Sequence, residues 1–267
     1  MNDNSLIQTD LSLPIRDGDI GLWLLRDQWI NNATLQEGCD NYLSAEEIAK
    51  SEKFHFDKHR KQYLATRILV RCVLSLYKRS VSPDGWSFLK NEFGRPYIAN
   101  AGYSEKLFFN ISHTENIVVL AVSKTEKIGV DIEWVARKRK FIDLAKRFFS
   151  EVEAGELALL PQTQQTDRFY EIWTLKEAYI KAQGEGLSIP LNSFYFQTPG
   201  QGHDKITFVD NKSIDPESWQ FWRFNLYENY RLAIALNTVA DRDCHRFRIY
   251  EIDSDWMIQE NPSLKPV

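Results

Sequence analysis

The chain has 267 residues, 43% hydrophobic and 13% aromatic, which suits one large domain or two fused small ones with a sizeable core. Eight tryptophans and sixteen phenylalanines exclude a disordered chain, and a formal net charge of −4 gives no global attraction to nucleic acid or an anionic membrane. The cysteines Cys39, Cys72 and Cys244 form neither a CxxC pair nor a disulfide framework. The opening "MNDNSLIQTD" lacks a signal-peptide pattern, and no apolar run nears the ~20 residues that span a bilayer. A cytoplasmic protein is expected.

In chain order, residues 1–18 read as a polar extension, and "DIGLWLLRD" from Asp19 has the apolar content of a strand. Ser44 with Glu47 three places on marks a capped helix start. A longer helix is predicted from Asp57 to Lys78, its apolar face made by Ala65, Ile68, Leu69, Cys72, Val73 and Leu76. Arg60, Arg67 and Arg71 recur on another face, where a solvated stripe is the ordinary outcome. "NEFGRPYI" is a turn between short extended pieces. "LFFNISHTENIVVLAVS" predicts strand, polar turn and a buried strand from Ile117 to Val122, and "KIGVDIEWV" another strand. "FIDLAKRFFSEVEAGELALL" reads as one helix, "TDRFYEIWTLKEAYIKAQ" as the next, ended by Gly184 and Gly186. Strands and loops fill about Leu187 to Asp253. "FNISHTENIVVLAVS" is echoed by "FNLYENYRLAIALN" from Phe224, as duplication of one α/β unit would require.

Three places can carry chemistry. In "GVDIEWV", alternation sends Val130, Ile132 and Trp134 to one face and Asp131 and Glu133 to the other, with residues two apart separated by roughly 6.6–6.8 Å. Two carboxylates there can approach one hard cation such as Mg²⁺, although a lone D-x-E is more often a solvated strand face. On the later helix, Ile172, Leu175 and Tyr179 share one face, and Glu177 and Lys181 lie opposite, flanked by Trp173. An exposed pair of that kind adds only about 0.2–0.5 kcal/mol to a helix. In a site, Glu177 suits a metal ligand or general base and Lys181 a countercharge to a departing phosphate. Ser112 and His113 end a strand and point to opposite faces, so they make no nucleophile pair, and a phosphate contact suits His113 better.

The order and spacing of "FNISH", "GVDIE" and "WTLKEAYIKAQGEGLSIPL", with "FGRPYI" and the "RILVR" helix upstream, resemble the 4′-phosphopantetheinyl transferases, in their larger pseudo-dimeric type that activates carrier proteins of peptide, polyketide and fatty-acid synthases. The resemblance covers roughly Leu43 to Leu191. It implies an α/β (α+β) fold of two similar subdomains related by pseudo-twofold symmetry, the active site between them. The expected division is an N-terminal subdomain 19–125, a C-terminal subdomain 126–253 and a tail 254–267.

It further implies transfer of 4′-phosphopantetheine from coenzyme A to a serine of an apo acyl or peptidyl carrier protein, releasing 3′,5′-adenosine bisphosphate. Asp131, Glu133 and Glu177 would hold Mg²⁺; Glu177 would take the serine proton, and Lys181 would serve the leaving group. Arg67, Arg95 and His113 would contact CoA phosphates, with Lys90, Asn110 and Ser112 as neighbours. Arg137 to Lys140 and the segment 184–191 would help dock the carrier. No nucleic-acid or membrane partner is implied, and two halves in one chain suggest a monomer. The competing readings are a Mg²⁺-dependent phosphodiesterase or nuclease, which would hydrolyse without a carrier, and a non-catalytic binding module, which would bind CoA without needing Glu177.

Overall fold

A computed structural model describes residues 13–27, 30–101, 103, 106–136, 141–197, 203–209 and 214–267. The fold uses one layout twice. In the first half, strand β1 (Asp19–Leu25) leads into helices α1 (Asn32–Tyr42), α2 (Ala45–Ser51) and α3 (Asp57–Tyr77). A short hairpin follows, β2 (Phe88–Lys90) and β3 (Pro96–Ile98), then a long one, β4 (Phe108–Thr114) and β5 (Ile117–Ser123). The second half runs β6 (Ile128–Trp134), α4 (Phe141–Phe148), α5 (Glu151–Leu159) and α6 (Gln162–Gln183). Its hairpins are β7 (Phe194–Gln197) with β8 (Lys205–Phe208), and β9 (Trp219–Leu226) with β10 (Tyr230–Asn237). Pairing repeats too: β5 lies between β1 and β4, and β10 between β6 and β9, all antiparallel. The expected architecture of two similar α/β subdomains is the one the chain adopts.

The chain then doubles back. Strand β11 (Arg246–Ile252) pairs in parallel with β1, and β12 (Ile258–Glu260) flanks β11. Residues 246–252, read from sequence as part of the second half, therefore sit in the sheet of the first. The reason is an edge: without β11, β1 would leave its outer N–H and C=O groups unpaired.

Each sheet carries helices on one face and meets the other sheet on its second face. Trp23 and Leu25 of β1 join Leu69, Val73 and Leu120 under α3, while Ile20, Leu22 and Leu24 pack with Val130, Ile132 and Ile234 between the sheets. Burial on both faces explains why β1 is apolar without alternation from Ile20 to Leu25. Cys72 is a core residue, as expected. From Phe169 onward helix α6 is buried nearly all round, with Ala178 and Tyr179 against Ala233 and Ala235. The ordinary alternative for the Glu177–Lys181 pair, an exposed helix face, is not what the chain adopts: this part of α6 is central.

Two boundaries differ from expectation for local reasons. Helix α1 was hidden by poor helix formers in "NATLQEGCDNY", and it forms because Leu35, Cys39 and Tyr42 are buried in the core shared with α3. The stretch read as one helix from Phe141 is two, because Ser150 caps α5 and Glu153 returns a bond to its backbone. Among the described residues no helix is long and apolar enough to cross a membrane.

Buried charge ties these pieces together. Glu153 and Lys176 are both fully buried and 2.8 Å apart. The ammonium also donates to the carbonyls of Leu191 (2.7 Å) and Phe194 (2.6 Å), and Glu153 accepts from the N–H of Phe196 (2.9 Å). Burial lowers the Lys176 pKa to about 8, with Glu153 opposing. Lys176→Met would strand the carboxylate and destabilise the protein by about 3–5 kcal/mol. The double variant Glu153→Gln/Lys176→Met should recover much of that loss, as read by urea unfolding.

Glu47 forms a second tie, its carboxylate gripped by Arg67 (2.6 Å) and Arg71 (2.8 Å) and by the Ser44 N–H. Burial pushes its pKa up, but Arg67, the Ser44 amide and Arg71 together bring it below the ordinary carboxylate value. The folded carboxyl is then the stronger acid, so its stabilisation is complete above the unfolded value and is lost as pH falls through the folded one. Glu47→Gln should therefore melt well below the parent at neutral pH, and the gap should narrow in acid thermal scans.

Candidate active site

The sequence-predicted residues gather where the two halves abut, because β6 carries no side chain at position 129. A Cβ on Gly129 would stand 2.0 Å from the Ala178 carbonyl oxygen and 2.5 Å from the Ala182 nitrogen. α6 thus lies directly on β6, and Lys181 reaches back over the strand. Its ammonium bonds Asp131 Oδ1 (2.7 Å), Ser112 Oγ (2.8 Å) and the Val130 carbonyl (3.2 Å). The cluster joins β4, β6 and α6.

Glu177 sits one turn before Lys181 on α6. Burial, then the charge of Asp131 and of Glu133, raises its pKa to about 7 against the pull of Lys181. Asp131 is 5% exposed, and its Oδ2 is buried with no hydrogen-bond partner. The polar face of β6 is therefore no solvated surface. Three hard carboxylates whose charges oppose one another, with one oxygen buried and unused, fit a divalent cation chemically. Among the described residues, no three acidic, histidine or cysteine side chains stand already gathered in coordinating geometry.

His113 is exposed at the end of β4. Partial burial of its ring, then the Lys181 ammonium, holds its pKa below the ordinary value. His59 on α3 stands close enough to add to that effect. One turn along α3, Tyr63 lines a pocket of about 340 Å³ with Lys50, Arg67, Phe88 and Lys90. Burial, then Lys90 and Arg67, lowers the Lys50 pKa, as a crowd of cations does. Arg67 and Lys90 thus share a basic pocket, whereas His113, Ser112 and Lys181 share the cleft.

Other predicted contacts are placed differently. Arg95 bridges the halves, donating to the carbonyls of Ala182 (2.6 Å), Glu126 (2.9 Å) and Ile128 (3.1 Å). Arg71 turns inward to Glu47 and to the carbonyls of Pro83 and Trp86, so at Arg67 and Arg71 the arginine stripe is no solvated face. Arg60 pairs with Asp57 at the surface. Asn110 and Ser112 direct polar atoms at β6. Arg137 to Lys140 lie outside the described residues.

Sequence reasoning passed over Gly129, Lys50 and Tyr63. A glycine inside a strand pattern is a signal of close backbone approach, and it was available. Lys50 and Tyr63 carried none, since lysines and tyrosines on helices are ordinary.

Comparison with known proteins agrees with this layout. The model of the 4′-phosphopantetheinyl transferase superfamily matches residues 127–235, and that of the 4′-phosphopantetheinyl transferase N-terminal region matches residues 28–125. A 4′-phosphopantetheinyl transferase of Bacillus subtilis is 36% identical over 193 residues, covering 72% of this chain and 81% of that protein. The 4′-phosphopantetheinyl transferase Sfp of Bacillus subtilis strain 168 is 34% identical over 173 residues, covering 65% and 74%. The chain belongs to the 4′-phosphopantetheinyl transferase superfamily, in its larger, two-halved form.

Proposed function

We propose that this protein moves 4′-phosphopantetheine from coenzyme A to a serine hydroxyl of an apo acyl or peptidyl carrier protein in a Mg²⁺-dependent reaction. The observation that carries the reading is the joint placement of Asp131, Glu177 and Lys181 at the junction of the halves. The serine oxygen attacks the phosphorus bearing the pantetheine arm, and the bond from that phosphorus to the bridging oxygen breaks. The products are the holo carrier and 3′,5′-adenosine bisphosphate.

Glu177 receives the serine proton, directly or through one water; a carboxyl poised near pH 7 suits that exchange. Lys181, already aimed into the cleft by Ser112 and Asp131, meets the charge that grows on the leaving bisphosphate. Asp131, Glu133 and Glu177 would hold Mg²⁺, which supplies charge neutralisation at the pyrophosphate when bound. His113 at the lip of the cleft faces the CoA phosphates. The pocket of Lys50, Arg67 and Lys90 takes the remaining phosphate, with Tyr63 and Phe88 as its apolar walls. Arg95 keeps donors beyond the three it uses, and a phosphate contact there is secondary to its bridging role. Both halves of the cleft come from one chain, which supports a monomer.

The test is intact-mass measurement of apo carrier proteins incubated with the enzyme, CoA and Mg²⁺. A mass gain of one phosphopantetheine is expected, abolished by chelator and lowered by at least about 100-fold in Glu177→Gln, which should still bind CoA. CoA breakdown without a carrier would indicate a hydrolase instead, and CoA binding with no modified carrier a binding module. Lys50→Glu/Lys90→Glu should raise the KM for CoA by about tenfold or more and leave the KM for the carrier unchanged in steady-state assays.

A further inference from the structure

Besides packing face to face, the two sheets adjoin along one pair of edges without joining into one. β4 ends the five-stranded sheet and β6 ends the three-stranded one. The outer N–H groups of β6 therefore have no strand partner, although the junction is buried. Two side chains of β4 stand in for one. Asn110 Oδ1 accepts the N–H of Val130 at 2.9 Å, and Ser112 Oγ accepts the N–H of Ile132 at 3.2 Å. Donor and acceptor advance together by two residues, so the seam has the stride of a parallel ladder with side-chain oxygens in place of carbonyls. Asn110 is 6% exposed and Ser112 4%.

The Ser112 hydroxyl also reaches the reacting groups. It donates to Asp131 Oδ1 at 2.9 Å and accepts from Lys181 Nζ at 2.8 Å. With the Ile132 N–H, this uses its single donor and both acceptor positions. No capacity remains for a phosphate oxygen unless one of these bonds is given up.

We propose that Asn110 and Ser112 are positioning residues for the transfer reaction: they sew β6 to β4 and so fix the Asp131 carboxylate and Lys181 ammonium in the cleft, without contacting CoA. The seam explains why both residue types are short. A longer side chain would push the sheet edges apart, and an apolar one would leave the N–H groups of Val130 and Ile132 unpaired. This inference rests on the transferase reading for its kinetic consequence, whereas the seam itself is observable without turnover.

Ser112→Ala, Ser112→Thr and Asn110→Ala test it. Amide hydrogen exchange should speed up at Ile132 in Ser112→Ala and at Val130 in Asn110→Ala, with the distant core of α3 unaffected. In steady state, Ser112→Ala should lower kcat by about 10–100-fold, the scale of a misplaced reacting group. Its KM for CoA, and CoA affinity by calorimetry without a carrier, should stay within about twofold. Ser112→Thr keeps the hydroxyl and should restore most of kcat.

A large rise in KM and Kd for CoA with kcat preserved would make these residues ligand contacts and overturn the proposal. Unchanged exchange at both amides would show that the seam is not formed. Faster exchange with normal kcat in the folded enzyme would reduce it to a structural contact. Failure of the parent enzyme to modify any carrier would count against the transferase reading alone, since the exchange result would stand.

Discussion

The site exists because a helix lies backbone to backbone on a strand. Gly129 removes the side chain that would otherwise collide with the Ala178 carbonyl, and α6 settles onto β6 at that point. Each later feature depends on this distance. Lys181 can reach across β6 to Asp131 and Ser112 only from a helix that close, and Glu177 feels both β6 carboxylates only from the same position. Any side chain at position 129 would lift the helix, and clashes of this kind cost about 1–3 kcal/mol in a packed core. The chemistry would suffer before the fold did, because a misplacement near 1 Å already costs about 100-fold in rate.

A helix held this tightly needs anchoring on its other side, and buried charge supplies it. Lys176 precedes Glu177 and points away from the cleft, into Glu153 and the carbonyls of Leu191 and Phe194. The aromatic rings of Tyr179, Phe194 and Trp219 pack on the same side. A buried ion pair is seldom the most stable filling for a core, but its hydrogen-bond geometry permits few alternatives. α6 is thereby fixed in rotation, and its sides divide into one that holds the protein and one that faces the cleft.

Much of this was legible in the sequence, and what was missed has physical causes. β1, α2, α3, β4, β5 and β6 announced themselves through periodicity and caps, since their residues obey local rules. The break at Ser150 was written as a capping box but lay inside an apolar pattern that runs through it. α1 and β11 depend on partners far along the chain, which no local window contains. In the site, the motif order located Asp131, Glu133, Glu177 and Lys181 together. It did not separate residues that line the pocket and cleft from residues bonded within the protein, because asparagine, serine and arginine serve both. Arg95, Arg71 and Asn110 differ from Lys90 and His113 only in which partner reaches them first, and that is a property of packing.

Duplication raises the question of why there is one site and not two. The second hairpin copies the Phe-Asn start of the first, but β9 ends at Leu226, whereas β4 runs on through Ser112, His113 and Thr114. The copied Asn225 is exposed and, among the described residues, sews nothing. The first strand of each half differs as well: from Ile20 to Leu25, β1 carries no carboxylate, whereas β6 carries Asp131 and Glu133. The edges make this difference stable. β11 covers the outer edge of β1 and turns it into an interior strand, where an unpaired carboxylate would be costly to bury. β6 keeps its outer edge turned to β4, with no backbone ladder between them, and that gap is where Asp131, Ser112 and Lys181 converge. One returning strand therefore closes the first half and leaves the second half an open edge for the cluster of Asp131, Ser112 and Lys181.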